Sequence, residues 1–118
     1  MSKLKDRVAI VTGGAQGIGA AYARALAAEG ARVAVADILD CTPVAKEIEA
    51  AGGCAMAITV NVADEASTRA MAQAVAEHFG RIDILVNNAA VYASLQLKPF
   101  EEIDVAEWDK VMAVNVRG

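Results

Sequence analysis

Histidine, cysteine, proline and aromatic residues are all scarce in this chain: one histidine, two cysteines, two prolines and 4% aromatics in 118 residues. Cys41 and Cys54 stand apart, and with a single histidine they cannot supply the clustered ligands of a zinc site. No metal is therefore expected, and both thiols are expected to be reduced. Apolar residues make up 56% of the chain, yet no apolar run approaches the roughly 20 residues that span a bilayer. The first residues, Met1 to Arg7, carry positive charge without a following signal-peptide pattern, because Thr12 to Gly19 interrupts it. A net charge of −4 and the lack of a basic cluster argue against a nucleic-acid surface. These absences point to one cytoplasmic α/β domain with no membrane and no nucleic-acid partner.

What is present alternates regularly. Arg7 to Thr12 is a continuous β-branched run of the kind buried parallel strands show. Ile18, Tyr22 and Leu26 then recur at helical spacing, and Gly30 is placed to end that helix. Ala31 to Ala36 reads as a second strand closing on Asp37. Thr42 is expected to cap the next helix, with Pro43 at its first position and Val44, Ile48 and Ala51 as its stripe. Gly52 and Gly53 stop it. Ala55 to Val62 is the third strand, and Asp64 caps a helix with an inner face of Met71, Ala74, Val75 and His78 or Phe79, ended by Gly80. Ile82 to Val86 is the fourth strand. Trp108, Val111, Met112 and Asn115 start one more helical stripe.

Strands joined by helical crossovers imply a parallel sheet, and right-handed crossovers favour a doubly wound one. The expected order is 3-2-1-4, with a crevice between the first and fourth strands at their carboxyl ends. Thr12-Gly-Gly-Ala-Gln-Gly-Ile-Gly19 lies at one side of that crevice and Asn87-Asn-Ala-Ala90 at the other. Glycine gives up the most backbone freedom on folding, so Gly13, Gly17 and Gly19 together need a reason. A strand-to-helix turn lets bare backbone approach a pyrophosphate, with amide donors and the positive dipole end of the helix behind it. Gly13 would allow the turn, Gly17 the close approach, and Gly19 tight packing of the helix on the sheet. Asp37 stands about twenty residues on, where an acid should hold ribose hydroxyls. Glycines alone would also fit an ordinary turn; with the strand, the helix and Asp37 around them they read as a cofactor loop.

The spacing Thr12-Gly13-x-x-x-Gly17-x-Gly19 resembles the short-chain dehydrogenase/reductase family, as do Phe79-Gly-Arg-Ile-Asp-Ile-Leu-Val-Asn-Asn-Ala89 and Asn115-Val-Arg-Gly118. The resemblance runs along the whole chain. It implies a Rossmann fold and an NAD(P)-dependent oxidoreductase that moves a hydride between nicotinamide and a secondary alcohol or ketone. It places Gly13, Gln16, Gly17, Ile18 and Gly19 along the phosphates and Asp37 at the adenine-side ribose. Asn61 and Val62 would meet the adenine, with Asn61 where the family more often has aspartate. Asn88, Ala89 and Ala90 would run along the adenosine, with Ala90 in place of the usual glycine. Asn87 also reads as a bridge between backbone segments. Asn115 resembles the family's catalytic asparagine, which holds a water leading to the active-site lysine; it also reads as a polar residue that distorts a helix.

The serine and Tyr-x-x-x-Lys of the family's proton transfer do not occur: Leu26 stands four places after Tyr22 and Gln96 four places after Tyr92. The chain is therefore expected to be the N-terminal cofactor-binding part of a longer single-domain enzyme, cut before strand five and inactive alone. A small-molecule alcohol or ketone is its expected partner, and a homo-oligomer the expected assembly of the complete enzyme. The other function class left open is a non-catalytic nucleotide-binding module, or a split product that needs a complementing chain. NAD is expected over NADP, since the Asp37 carboxylate occupies the place of a 2′-phosphate and neither Gln16 nor Ile38 brings a cation. His78 reads as a helix-end residue, Trp108 as core or interface, and Tyr92 and Ser94 as loop residues beside the crevice.

Overall fold

Val8–Thr12 forms β1 at the centre of the molecule, with all five residues buried. The computed structural model describes residues 3–90 and 98–117. After β1 come α1 (Gly17–Ala28), β2 (Arg32–Asp37), α2 (Thr42–Ala50), β3 (Cys54–Thr59), α3 (Glu65–Phe79) and β4 (Ile84–Val86). A 3-10 turn at Phe100–Glu102 leads to α4 (Val105–Met112), which runs on as a π-helical segment, Ala113–Arg117. Tyr92 and Ser94 lie outside the described residues.

The strands form one parallel sheet in the order β3-β2-β1-β4, as the crossovers require. Alternate residues of a strand face opposite ways, so the inner strands feed two cores. On one face Val11, Val33 and Val35 pack against α1 and α2 through Ala20, Ala23, Val44 and Ile48. On the other, Val8, Ile10, Ala34 and Ala36 meet Met71 and Val75 of α3. Both faces are covered, hence the unbroken apolar runs of β1 and β2.

Several local expectations shift. The helix α1 forms, but its buried residues are Gly19, Ala20 and Ala23, while Ile18 is 65% and Tyr22 48% exposed. Small residues let α1 lie close to the sheet, which turns Ile18 and Tyr22 outward, while Leu26 of the same stripe still packs against the core. Thr42 is the first residue of α2 and Cys41 its cap, because the Asp40 carboxylate accepts the Thr42 N–H at 2.9 Å and begins the turn earlier. Ala51 is exposed. The ladder of β3 runs from Cys54 to Thr59 and stops short of Val62; Val60 still donates its N–H to the Asp37 carbonyl at 2.9 Å. In α3, Asp64 accepts from Ala66 N–H at 3.0 Å and Gly80 closes the helix at φ +86, as expected. Its inner face uses Phe79, while His78 is exposed in the last turn.

β4 is tied to β1 at its start as well as along its ladder. The Asp83 carboxylate accepts the Val8 N–H at 2.9 Å and the Arg81 Nε–H at 3.0 Å. The Arg81 hydrogen bond, supported by that of Val8, holds the carboxyl below its ordinary range. In α4 no residue is buried, and Trp108, 59% exposed, does not join the core. Among the described residues no helix is long and apolar enough to cross a membrane.

Candidate functional site

The carboxyl ends of the strands meet at Thr12, the one buried polar side chain among the described residues. Its Oγ1 donates to the Val86 carbonyl at 3.3 Å and accepts the N–H groups of Asn88 and Ala89 at 3.1 and 3.2 Å. One hydroxyl thus pins the segment after β4 to the end of β1. Asn88 adds to the clamp, its Nδ2 donating to the Gly13 carbonyl at 3.2 Å. The bridge foreseen for Asn87 is made by Asn88. Thr12→Val keeps the shape but leaves two N–H groups without their acceptor. It is expected to lower stability by about 1–3 kcal/mol. Urea unfolding measures this, and an unchanged midpoint would refute the clamp.

The glycines divide the work of the loop. Gly13 (φ +66) lies so close to the β4 side that a Cβ would come 2.9 Å from Ala89 Cα. Gly14, which the motif reading passed over, is the one packed on the sheet: a Cβ there would sit 2.6 Å from Val35 Cγ1. Gly19 is buried behind the loop, where a Cβ would strike the Gly13 carbonyl and approach Asn88 Nδ2 to 2.5 Å. Its neighbour is therefore the turn, not the sheet expected for it, and its place is behind the cleft wall. Gly17 (φ +59) faces open space, with nothing within 4 Å of a Cβ.

That space is the mouth of a cleft of about 620 Å³. Gly13, Gln16, Gly17 and Ile18 line one wall, Asp37 and Ile38 the end of β2, Asn61 and Val62 the β3 side, and Asn88, Ala89 and Ala90 the β4 side. The first helical bond of α1 is Ala20 N–H to the Gln16 carbonyl at 3.3 Å, and among the described residues no side chain caps the helix. Its leading N–H groups are left for an acceptor in the cleft, and the helix dipole makes an anion the favoured one. Asp37 is held firmly: Oδ2 accepts the Ala15 N–H at 3.1 Å and Oδ1 the Leu39 N–H at 3.2 Å. Each oxygen keeps a further lone pair for a diol.

Asn61 is more occupied than foreseen. Its Oδ1 already accepts the Ala63 N–H at 3.0 Å, and its own N–H is bonded to Ser67 Oγ at 2.9 Å. The amide shapes the turn after β3 and presents its NH₂ as the uncommitted group. Residues of α4 and its extension also reach the cleft, Lys110 and Val114, which no local pattern announced. Asn115 follows Val114 within the π-helical segment, so the helix is indeed distorted there, as π turns at functional positions often are. Cys41 is buried in the core on the α1 and α2 face, and burial, with Asp37 and Asp40 nearby, pushes its thiol up to about 11. A thiol so raised is protonated near neutrality and is no nucleophile. Among the described residues no group of three or more histidine, cysteine or acidic side chains converges on a metal position.

A family profile described as short chain dehydrogenase matches residues 7–118. The chain belongs to that family. D-threitol dehydrogenase of Mycolicibacterium smegmatis is 44% identical over 118 residues, covering 98% of this chain and 44% of the relative. Galactitol 2-dehydrogenase of Agrobacterium fabrum is 41% identical over 116 residues, with 98% and 44% covered. The crystal structure of a short chain dehydrogenase from Mycobacterium avium superposes with a TM-score of 0.91 at 40% identity, over 99% of this chain and 44% of that one. The chain therefore spans less than half the length of these relatives. The Rossmann-type sheet, its strand order and the family agree with the sequence-based expectation.

Proposed function

We propose that this chain is the cofactor-binding part of a longer single-domain, cytoplasmic enzyme, an NAD-dependent short-chain dehydrogenase that oxidises a secondary alcohol to a ketone. The supporting observation is the cleft, where uncapped amides of α1 stand at one wall and the fixed Asp37 carboxylate at another. The residues fit a dinucleotide. A pyrophosphate suits the leading N–H groups and the open approach at Gly17, a ribose diol suits Asp37, and the adenine suits Asn61, Val62 and Ala90. Bound nicotinamide supplies the hydride acceptor.

The chain's own part is binding and orientation. Thr12 and Asn88 hold the two walls at a fixed distance, and Asp37 receives the ribose without rearranging. Asn115 is assigned to holding a water on the proton path. The alcohol must lose a proton as well as a hydride, and no Tyr-x-x-x-Lys is present here to take it. The names of the relatives support a polyol as the substrate class, and a homo-oligomer is proposed for the complete enzyme.

The 118-residue polypeptide is expected to bind NADH and to show no turnover above background in an NADH absorbance assay with threitol or galactitol. The complete protein that carries it is expected to reduce NAD with such alcohols. Sustained, alcohol-dependent turnover by the polypeptide alone would sink the division of labour. Failure of the polypeptide to bind NADH would sink the cofactor assignment.

A further inference from the structure

Among the described residues that line the cleft, Asp37 is the one acid and Lys110 the one base. The seven residues 91–97, Val-Tyr-Ala-Ser-Leu-Gln-Leu, carry no charged side chain that could change that balance. Lys110 lies in the last turn of α4 and Val114, one turn on, lines the cleft beside it. Where this face of the helix sits is set farther along. Arg117 donates from Nη1 to the Ala63 carbonyl at 2.9 Å, tying the helix extension to the turn that holds Asn61 and Val62. The helix extension is thus tied to the turn after β3, the edge strand beside β2. The other lysine near this helix, Lys98, is already paired with Glu107 at 2.7 Å. Lys110 is exposed and has no such carboxylate partner among the described residues.

We propose that Lys110 is a specificity-determining residue for the adenosine end of the cleft, the cation that decides how far a phosphate on the adenine-side ribose is tolerated. The inference rests on the nicotinamide-cofactor reading and goes beyond it. Asp37 alone would repel a 2′-phosphate by like charge. An ammonium in the same cleft offsets part of that repulsion, so discrimination is set by the pair and not by the carboxylate alone. Lysine meets phosphate as a mobile point charge and needs no fixed fork geometry. A flexible side chain on the rim of an open cleft can supply that. When the carboxylate is removed, the lysine remains, and the cleft becomes a site for a ribose 2′-phosphate.

The test uses 5′-AMP and 2′,5′-ADP as probes, so that binding is read without catalysis. The complete protein carrying this chain is titrated calorimetrically as the parent, as Asp37→Asn, as Lys110→Gln and as the double variant. Asp37→Asn is expected to bind 2′,5′-ADP at least about tenfold more tightly than the parent, the scale of one charge-assisted contact. Adding Lys110→Gln should take that gain away while changing 5′-AMP affinity less than about twofold. The gain should also shrink as salt is raised, as an exposed charge contact must. A gain that survives Lys110→Gln would overturn the inference and leave the cofactor reading standing. A parent protein that binds neither 5′-AMP nor NADH would overturn both. Lys110→Arg keeps the charge and is expected to restore the gain, which a merely structural effect of the substitution would not do.

Discussion

Gly19→Ala is expected to remove NADH binding and destabilise the fold together. The added methyl group meets the Gly13 carbonyl, which is backbone, and stands 2.5 Å from Asn88 Nδ2, a side-chain end tied to that carbonyl by its hydrogen bond. The loop, the clamp between the two walls, or α1 must move. Overpacking of this kind costs about 1–3 kcal/mol of stability. A displacement near 1 Å in a binding loop can cost on the order of 100-fold in function. Gly17→Ala gives the contrast. It has room for a Cβ but a φ of +59, so it should lose about 1–2 kcal/mol or less and fold normally while its methyl group obstructs the approach of a phosphate. Thermal unfolding with NADH titration separates the two variants. Parent-like binding and melting of Gly19→Ala would show that the loop is looser than the contacts around Gly19 require.

Asp37→Ala is expected to cancel a preference for NAD. The parent protein should bind NAD(H) on the order of 100-fold more tightly than NADP(H), because a 2′-phosphate would replace the favourable 2′-hydroxyl contact with like-charge repulsion. The variant loses charge-assisted bonds to the ribose worth about 1.5–3 kcal/mol, so its NAD affinity should fall at least about tenfold. NADP affinity should rise until the two cofactors differ by no more than a few-fold. Asp37 also accepts from Ala15 and Leu39, so a modest fall in stability is expected beside the change in preference. Competitive titration of both cofactors measures the ratio. Equal or tighter NADP binding by the parent would refute the role given to the carboxylate.

Much of this protein was legible in the order of its residues, because the relevant physics is local. Continuous β-branched runs at Val8 and Val33 need cover on both faces, and helical spacing between them allows only crossover connections. The parallel sheet and the order 3-2-1-4 follow from that. The glycine spacing after β1 and the acid at the end of β2 are likewise set by backbone sterics and chain distance, and both stand at the crevice. Other features needed the packed chain. Which stripe of α1 turns inward depends on how near the sheet lets the helix come, and alanines won over Ile18 and Tyr22. Thr12 ends β1 as an ordinary β-branched residue, and becomes a clamp only when the segment after β4 arrives beside it. Asn61 spends its oxygen on a turn that forms only once α3 sets off from the sheet. Lys110 reaches the cleft from a helix far along the chain, whose extension Arg117 ties to the Ala63 carbonyl. Spacing along the chain determines which elements exist and in what order they pair. Contacts between segments far apart in sequence decide which of their side chains share the cleft, because those contacts are selected by packing and not by periodicity.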